Sequence, residues 1–388
     1  MKKLKIAVVD PSAFTPPYDH SLAVALAQQG CEVVLVTTQP MSKPWIQGLP
    51  YECWDIFYQV TRKVPNKKIR TYLKGLEHPW DSVRLFQRLS AWKPDIIHFQ
   101  WLPFPAVDGL FLRLFRKIAP LVLTVHDTEP FCGVPSSRLQ LIGLSAAFRC
   151  FDHYIVHTQY SKEALMRQLA LHECRVTVIP MGAFTYYREL ISDMGEAIQA
   201  PQLVGKKKVL FLGVLKPYKG VDILLEAFAR LPESLAKKVV LQIVGYPRMP
   251  VEPLRAIARR LGIDDQVFWD LRFVEEKEVA AYFAQADVVV LPYRRIDQSA
   301  VLMVALAFGK PVIASCVGGL AEIIKDGIHG FLVKPGDVES LAQALTCILA
   351  DDELRMRMAS AVQRLANEEL SWDTVAKQTI QLYKMILG

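Results

Sequence analysis

Short apolar runs alternate along the chain with longer segments whose apolar positions recur every three or four residues. That alternation predicts parallel strands with helices covering both faces of each sheet. In the first half the runs Lys5–Val9, Glu32–Thr37, Ile96–Phe99, Leu121–Val125, His153–Val156 and Val176–Ile179 read as strands. A helix from about Ser21 to Gln29, closed by Gly30, joins the first two. The second half repeats the plan with Lys208–Leu212, Val239–Val244, Val267–Trp269, Val288–Leu291, Val312–Ala314 and Gly330–Val333. Its helices include Val221–Arg230, Glu252–Leu261, Glu275–Ala284, Ala300–Ala307 and Val338–Leu349. The rhythm lapses around residues 184–208, so a domain spanning 1–195 is expected to precede one spanning 196–371. A last helix, 372–388, is expected to pack back on the first domain. Two doubly wound α/β sheets of this kind bind ligands at the carboxyl ends of their strands, here in a cleft between the domains.

Length and composition agree with two globular domains. A chain of 388 residues, 52% hydrophobic and 22% charged, exceeds one ordinary core. No apolar run approaches the roughly eighteen residues of a membrane-spanning helix. The apolar stretch near the start ends at Asp10, which makes it a first strand rather than a signal peptide. Seven scattered cysteines without a Cys-x-x-Cys pair point to reduced thiols in the cytoplasm, with neither disulfides nor a zinc site. The net charge of +7 gathers in Arg62, Lys63, Lys67, Lys68, Arg70 and Lys74, with no acid among them. This is either a solvated basic loop or a peripheral contact with the anionic inner face of a membrane, where each basic residue contributes about 1 kcal/mol. Nucleic acid is disfavoured, because only Tyr72 is interleaved to stack a base.

The chemistry concentrates in the second half. Asp287–Tyr293 reads as a buried strand, Gln298 and Ser299 as a polar loop, and Ala300–Ala307 as an apolar helix stopped at Gly309 before Pro311. Strand, short loop and helix N-terminus make an anion site, because the unpaired amides of the first turn meet the positive end of the helix dipole. The loop Gly213–Asp222 brings Lys216 and Lys219 to the mouth of the next helix. Two such lysines can neutralise a diphosphate, each charge-assisted hydrogen bond contributing about 1.5–3 kcal/mol. By itself the loop also reads as a solvated turn; its place at the same end of the same sheet favours the diphosphate.

Four segments in order carry a resemblance: Gly213–Gly220, Tyr293–Val312, Val317–Glu322 and Asp326–Val333. Together they resemble the signatures of retaining GT-B glycosyltransferases of family 4. Looser matches lie at Lys93–His98, Thr124–Asp127 and Val178–Gly182. The resemblance implies two Rossmann-like domains and sugar transfer from a nucleotide diphospho-sugar, with retained configuration and no metal. No Asp-x-Asp stands where it would hold magnesium on a diphosphate. It further implies that Lys216 and Lys219 hold the phosphates, Lys216 replacing a basic residue usually found at the position of Val214. Gly213, Val274, Asp297, Ser299, Ala300, Val301, Gly318 and Glu322 would complete the donor site. His126 would face the transferred sugar. The acceptor, a saccharide or lipid-linked saccharide in polysaccharide or glycolipid assembly, is expected near Tyr18, Asp19, His98 and Trp101; Trp101 reads equally as a sugar-stacking ring or as core.

Two departures stand out. The family's paired glutamates, eight positions apart, fall here on Ile296 and Val304. Losing the ribose hydrogen bond at the second position costs about 1.5–3 kcal/mol. Asp297, one residue off register, is a substitute for the first carboxylate. The first loop lacks the usual Gly-Gly and carries Pro17-Tyr18-Asp19 instead. The rival reading is therefore a weakened homologue that binds without turnover. A nucleotide-sugar epimerase would need acid–base residues that these motifs do not single out.

Overall fold

The computed structural model describes residues 3–38, 48–128, 142–191 and 204–388, apart from the side chains of Lys67 and Lys68. The chain divides into two compact units, Met1–Met181 with Trp372–Gly388, and Gly182–Ser371. The boundary expected after residue 195 lies outside the described residues. The units part after Met181, where the chain is already tied into the second unit. Ala183 N donates to Leu370 O (2.9 Å), Phe184 N to Met303 O (3.3 Å), and Phe184, Tyr186 and Tyr187 are buried.

The first unit is built on a parallel seven-stranded sheet in the order β3-β2-β1-β4-β5-β6-β7. Its strands are β1 (Lys5–Asp10), β2 (Glu32–Thr37), β3 (Glu52–Asp55), β4 (Ile96–Phe99), β5 (Leu121–Thr124), β6 (His153–Val156) and β7 (Val176–Val178). Strands covered on both faces read as continuous apolar runs, which is why the inner ones are visible in the sequence. β3 is not: it is an edge strand with one neighbour, and of Glu52-Cys53-Trp54-Asp55 only Trp54 is fully buried.

Two helices correct the sequence reading. Helix α1 (Pro16–Gln28) starts five residues earlier than Ser21, because Pro16 and Pro17 occupy first-turn positions whose N–H groups have no partner in any helix. Tyr18 and Asp19 therefore lie inside α1 and are buried, not displayed on a loop. Helix α2 (Lys67–Trp92) contains most of the basic segment that reads as a loop. Its pattern is inverted at the N-terminal half: Ile69, Tyr72, Leu76, Trp80 and Val83 face solvent, while His78, Asp81 and Ser82 are buried. A period search assigns such a stretch no core face. α3 (Pro105–Phe115) packs on α2, and the last helix, Trp372–Leu387, lies along α1 with Val375, Ala376 and Tyr383 buried.

The second unit carries a parallel six-stranded sheet in the order β10-β9-β8-β11-β12-β13. These strands, β8 (Lys207–Leu212), β9 (Val239–Val244), β10 (Val267–Asp270), β11 (Val288–Leu291), β12 (Val312–Ser315) and β13 (Gly330–Val333), match the expected runs to within one residue. None of the described helices is long and apolar enough to cross a membrane.

Candidate active site

At the carboxyl end of the second sheet the backbone is packed so closely that side chains are excluded. Gly213 follows β8 with φ +139°, and a methyl group there would fall 2.9 Å from Lys219 Nζ and 3.5 Å from Val301 Cγ2. Lys219 and the first turn of the helix Ala300–Ala307 thus meet over the same glycine. A Cβ on Gly245 would overlap Gly213 O, and one on Gly220 would overlap Pro292 O, so the loops after β8, β9 and β11 touch through bare backbone. Arg294 clamps two of these loops. Its amide donates to Tyr218 O (2.7 Å), and its guanidinium bonds Pro217 O (2.8 Å) and both oxygens of Asp222 (3.0 and 2.6 Å).

Lys219 is held without a counter-ion. Its Nζ sits 5.1 Å from the centroid of the buried Tyr293 ring, and among the described residues no carboxylate pairs with it. Burial lowers its pKa, so the ammonium is short of solvation. The helix N-terminus beside it is partly capped. Ser299 Oγ accepts from Leu302 N (3.3 Å) and Ser299 O from Met303 N (3.3 Å). The amides of Ala300 and Val301 are then the two in the first turn that no described group accepts. A cation and two free amides around a bare glycine can do one thing well: bind an anion with several oxygens.

The other expected residues divide. Gly318, at φ +46°, packs on Ile296 O, and Gly319 N donates to Asp297 O (2.9 Å), so that turn lies against the loop before Ser299. Lys216 leans instead over Tyr218, its Nζ 5.7 Å from the ring centroid. Glu322 is exposed on the helix Gly318–Ile323. Val274 follows β10, two strands out from β8. Val304 is buried and Ile296 half-buried, so both glutamate positions of the family pattern are apolar here.

The mouth of the first sheet is of a different kind. His98, His126 and His157, all buried, form one hydrogen-bonded chain. Ile179 O can only accept, so His157 donates to it from Nδ1 (2.9 Å), and His157 Nε2 accepts from His126 Nδ1 (3.3 Å). Gln100 Oε1 lies 3.2 Å from His126 Nε2 and Gln100 Nε2 lies 3.3 Å from His98 Nε2; the amide turned end for end suits both neutral rings, donating to His126 Nε2 and accepting from His98 Nε2. His98 accepts at Nδ1 from the Tyr383 hydroxyl (2.6 Å) and donates from Nε2 to Thr124 Oγ1 (2.7 Å). Burial pulls His98 down to about 3 and His157 to about 4, and His126 well below its usual value, so the rings are neutral at pH 7. Both nitrogens of His126 are engaged, which suits it to shaping a wall rather than exchanging a proton.

Around this chain Trp101 stacks on His126 at 5.4 Å, and Tyr18 meets the same ring edge-on at 4.7 Å. Asp19 is hydrogen-bonded to Asp10; burial first, and then the Asp10 charge, pushes the Asp19 carboxyl well above the usual range. Burial raises the Asp10 carboxyl as well, and Asp10 also accepts the amides of Ser12, Phe14 and Thr15. Of the four residues expected on the acceptor side, Trp101 alone is only half-buried, beside a small pocket of about 20 Å³ lined by Gln100, Thr124 and His126.

The chain is similar to known proteins. A family model for glycosyl transferases group 1 matches residues 195–365, and one for Glycosyltransferase Family 4 matches residues 18–185. A D-inositol 3-phosphate glycosyltransferase of Actinosynnema mirum is 31% identical over 99% of this chain and 97% of that protein. Another, from Xylanimonas cellulosilytica, is 30% identical over 76% of this chain and 73% of that protein. The chain belongs to the group 1 glycosyltransferases. Solved structures give the fold. Anabaena Alr3699/HepE in complex with UDP and glucose superposes with a TM-score of 0.69 at 20% identity, covering 98% of this chain and 100% of that one. WaaG, a glycosyltransferase involved in lipopolysaccharide biosynthesis, does so with 0.63 at 18% identity, over 97% and 99%. The architecture is GT-B.

Within this glycosyltransferase the basic segment does not form one patch. Arg62 is paired with Asp55 at 2.7 and 2.8 Å, and Lys74 turns inward, its Nζ 4.6 Å from the centroid of the buried Tyr58 ring. The side chains of Lys67 and Lys68 lie outside the described residues. Arg294, Gln100, His157 and Tyr383 escaped the sequence reading. Arg294 follows directly on the strand of a motif that was read, but its partners are seventy residues away in the chain. Only the structure brings them together.

Proposed function

We propose that this glycosyltransferase moves a sugar from a nucleotide diphospho-sugar to a hydroxyl of a saccharide or lipid-linked acceptor, with retention at the anomeric carbon. The observation that carries the reading is the meeting of Lys219 Nζ, Val301 and bare backbone over Gly213. There the pyrophosphate is held by the Lys219 ammonium and the Ala300 and Val301 amides, with Lys216 entering from the Tyr218 side. The bond from C1 to the diphosphate breaks as the bond from C1 to the acceptor oxygen forms on the same face. The acceptor proton passes to the departing phosphate oxygen, and the fixed positive charge stabilises the leaving group as it develops. His126 and Trp101 form the neutral wall of the acceptor side. UDP in complex with Alr3699/HepE makes uridine nucleotides the first donors to test.

The test is calorimetry with UDP-, GDP- and ADP-sugars, followed by release of nucleoside diphosphate. Binding with release, lost in Lys219→Ala, supports transfer. Binding without release under any acceptor favours the rival reading, a weakened homologue acting as a binding subunit, for which the buried Val304 speaks. No binding at all overturns both.

A peripheral membrane contact fits the outward face of α2 better than its basic residues. Tyr72 (80% exposed), Leu76 (70%) and Trp80 (72%) form an apolar stripe, while the helix's two acids are tied inward, Glu77 to Val60 and Thr61 and Asp81 to Tyr58 N. Aromatic and apolar residues at helical spacing suit the interfacial zone of a bilayer. Sedimentation with anionic phospholipid vesicles should capture the protein and release Leu76→Ser/Trp80→Ser; equal capture of both would remove this contact.

A further inference from the structure

In the loop between β11 and the helix Ala300–Ala307 one side chain is left in an unusual state. Gln298 is only 9% exposed, and neither its Oε1 nor its Nε2 has a hydrogen-bond partner. A carboxamide offers two donors and an acceptor, and burying all of them unbonded is destabilising. The neighbouring backbone supplies no relief, since Asp297 O is taken by Gly319 N and Ser299 Oγ and O by the helix amides. Gln242 is equally unbonded, but it sits in the middle of β9 between Leu210 and Phe268, inside the sheet. Gln298 stands at the carboxyl end of the sheet, one residue before the helix cap and beside the Gly318–Gly319 turn.

We propose that Gln298 is the side chain that reads the transferred sugar, completing its hydrogen bonds with two hydroxyls of a neutral, unsubstituted hexose when the donor binds. The proposal rests on the nucleotide-sugar reading of the same site. With apolar residues at Ile296 and Val304, the polar side chains that this loop can offer a sugar are this amide and the half-buried carboxylate of Asp297. An amide differs from a carboxylate in kind. It donates to one hydroxyl and accepts from the next, so it fits a vicinal pair and loses a bond wherever a hydroxyl is replaced by hydrogen or acylated. It is also uncharged, so it leaves the field at the pyrophosphate to Lys219.

The test compares wild type with Gln298→Leu and Gln298→Glu, using UDP, UDP-glucose and deoxy analogues of that sugar, or the GDP and GDP-mannose series if those bind instead. Gln298→Leu should bind the nucleoside diphosphate as wild type does. It should bind the sugar nucleotide about ten- to a hundred-fold more weakly or lose that factor in kcat/KM. The deoxy analogue that wild type discriminates should no longer be discriminated by the variant. Without ligand, Gln298→Leu should melt at a higher temperature, since it removes a dry, unbonded amide. A lower melting temperature would make Gln298 a structural residue and overturn the proposal, as would equal losses for diphosphate and sugar nucleotide. If no nucleotide binds the wild type, the donor reading itself fails, and a lowered melting temperature still decides the role of Gln298 alone.

Discussion

The two sheets end in opposite ways. In the second unit the carboxyl end is bare backbone closed by Gly213, Gly220, Gly245 and Gly318, with one half-solvated cation, Lys219, and two free amides. In the first unit it is filled by side chains: three neutral histidines, Gln100, Thr124 and Tyr383 saturate one another's hydrogen bonds. Among the described residues no carboxylate pairs with Lys219 at one mouth, whereas at the other the polar side chains pair with one another. The difference assigns the work. An unsatisfied positive site gains most when an anion arrives or develops, whereas a saturated neutral network fixes shape and keeps its protons.

The largest effect that would sharpen this contrast is on acid stability, and it should be greater in the first unit, since in the second only His329 among the described histidines is lowered by burial. The depressed histidines bind protons only when unfolded, so their stability is present above pH 6.5 and is lost as pH falls toward 4 for His157 and 3 for His98. The Asp10–Asp19 pair works in the other direction, because a raised carboxyl keeps a proton in the fold that the unfolded chain has released. Asp19→Asn retains a donor toward Asp10 but not the proton, and leaves the histidines exposed to view. In that variant the first unit should lose roughly 4 kcal/mol between pH 7 and pH 5 from His98 and His157. Denaturant melts followed by tryptophan emission will read it, since Trp269 is the sole tryptophan of the second unit. A flat profile would mean that the rings are not buried neutral.

Next in size is the charge at the other mouth. Lys219→Ala should lower kcat/KM by about two to three powers of ten, in the range seen when one preorganised donor to a developing anion is removed. Lys216→Ala should cost about tenfold, as befits a side chain resting on Tyr218 rather than on Gly213, and the double variant should abolish transfer. Equal losses in the two single variants would erase the distinction between them. Gly220→Ala attacks the same site through the backbone. At φ +67°, with Pro292 O where a methyl group would go, it should destabilise the second unit by about 1–3 kcal/mol, read as a lower melting temperature.

The contrast also explains what could be read in the chain. The second mouth depends on local constraints: a glycine directly after a strand, lysines three apart, a serine before an apolar helix. Each leaves its mark within ten residues, so Gly213, Lys219, Ser299, Val301 and Gly318 were all legible. The first mouth depends on partners at positions 18, 98, 100, 126, 157 and 383, distributed over the whole chain with ordinary spacing. His98 and His126 were visible as residues, but their saturation was not, and a buried histidine looks like a catalytic one until its partners are known. α2 was missed for a related reason. Its outward face is apolar and its inward face carries His78 and Asp81, joined through Tyr58 and Asp108, a pairing that periodicity cannot show.

The smallest effect tests how far the saturated network extends. Tyr383 belongs to the last helix, yet its hydroxyl donates to His98 Nδ1 at 2.6 Å, joining the two ends of the first unit across 285 positions. Tyr383→Phe keeps the ring packed against His98 and removes only the donor, leaving a buried acceptor nitrogen unbonded. The expected loss is about 1–2 kcal/mol of first-unit stability, with kcat/KM per folded molecule unchanged, because nothing at Lys219 has moved. The phenylalanine variant should also raise hydrogen exchange along Val375–Leu382, the face that lies on α1. A loss of activity without a loss of stability would mean that the histidine chain carries protons after all, and the neutral mouth would have to be counted with the chemistry rather than with the scaffold.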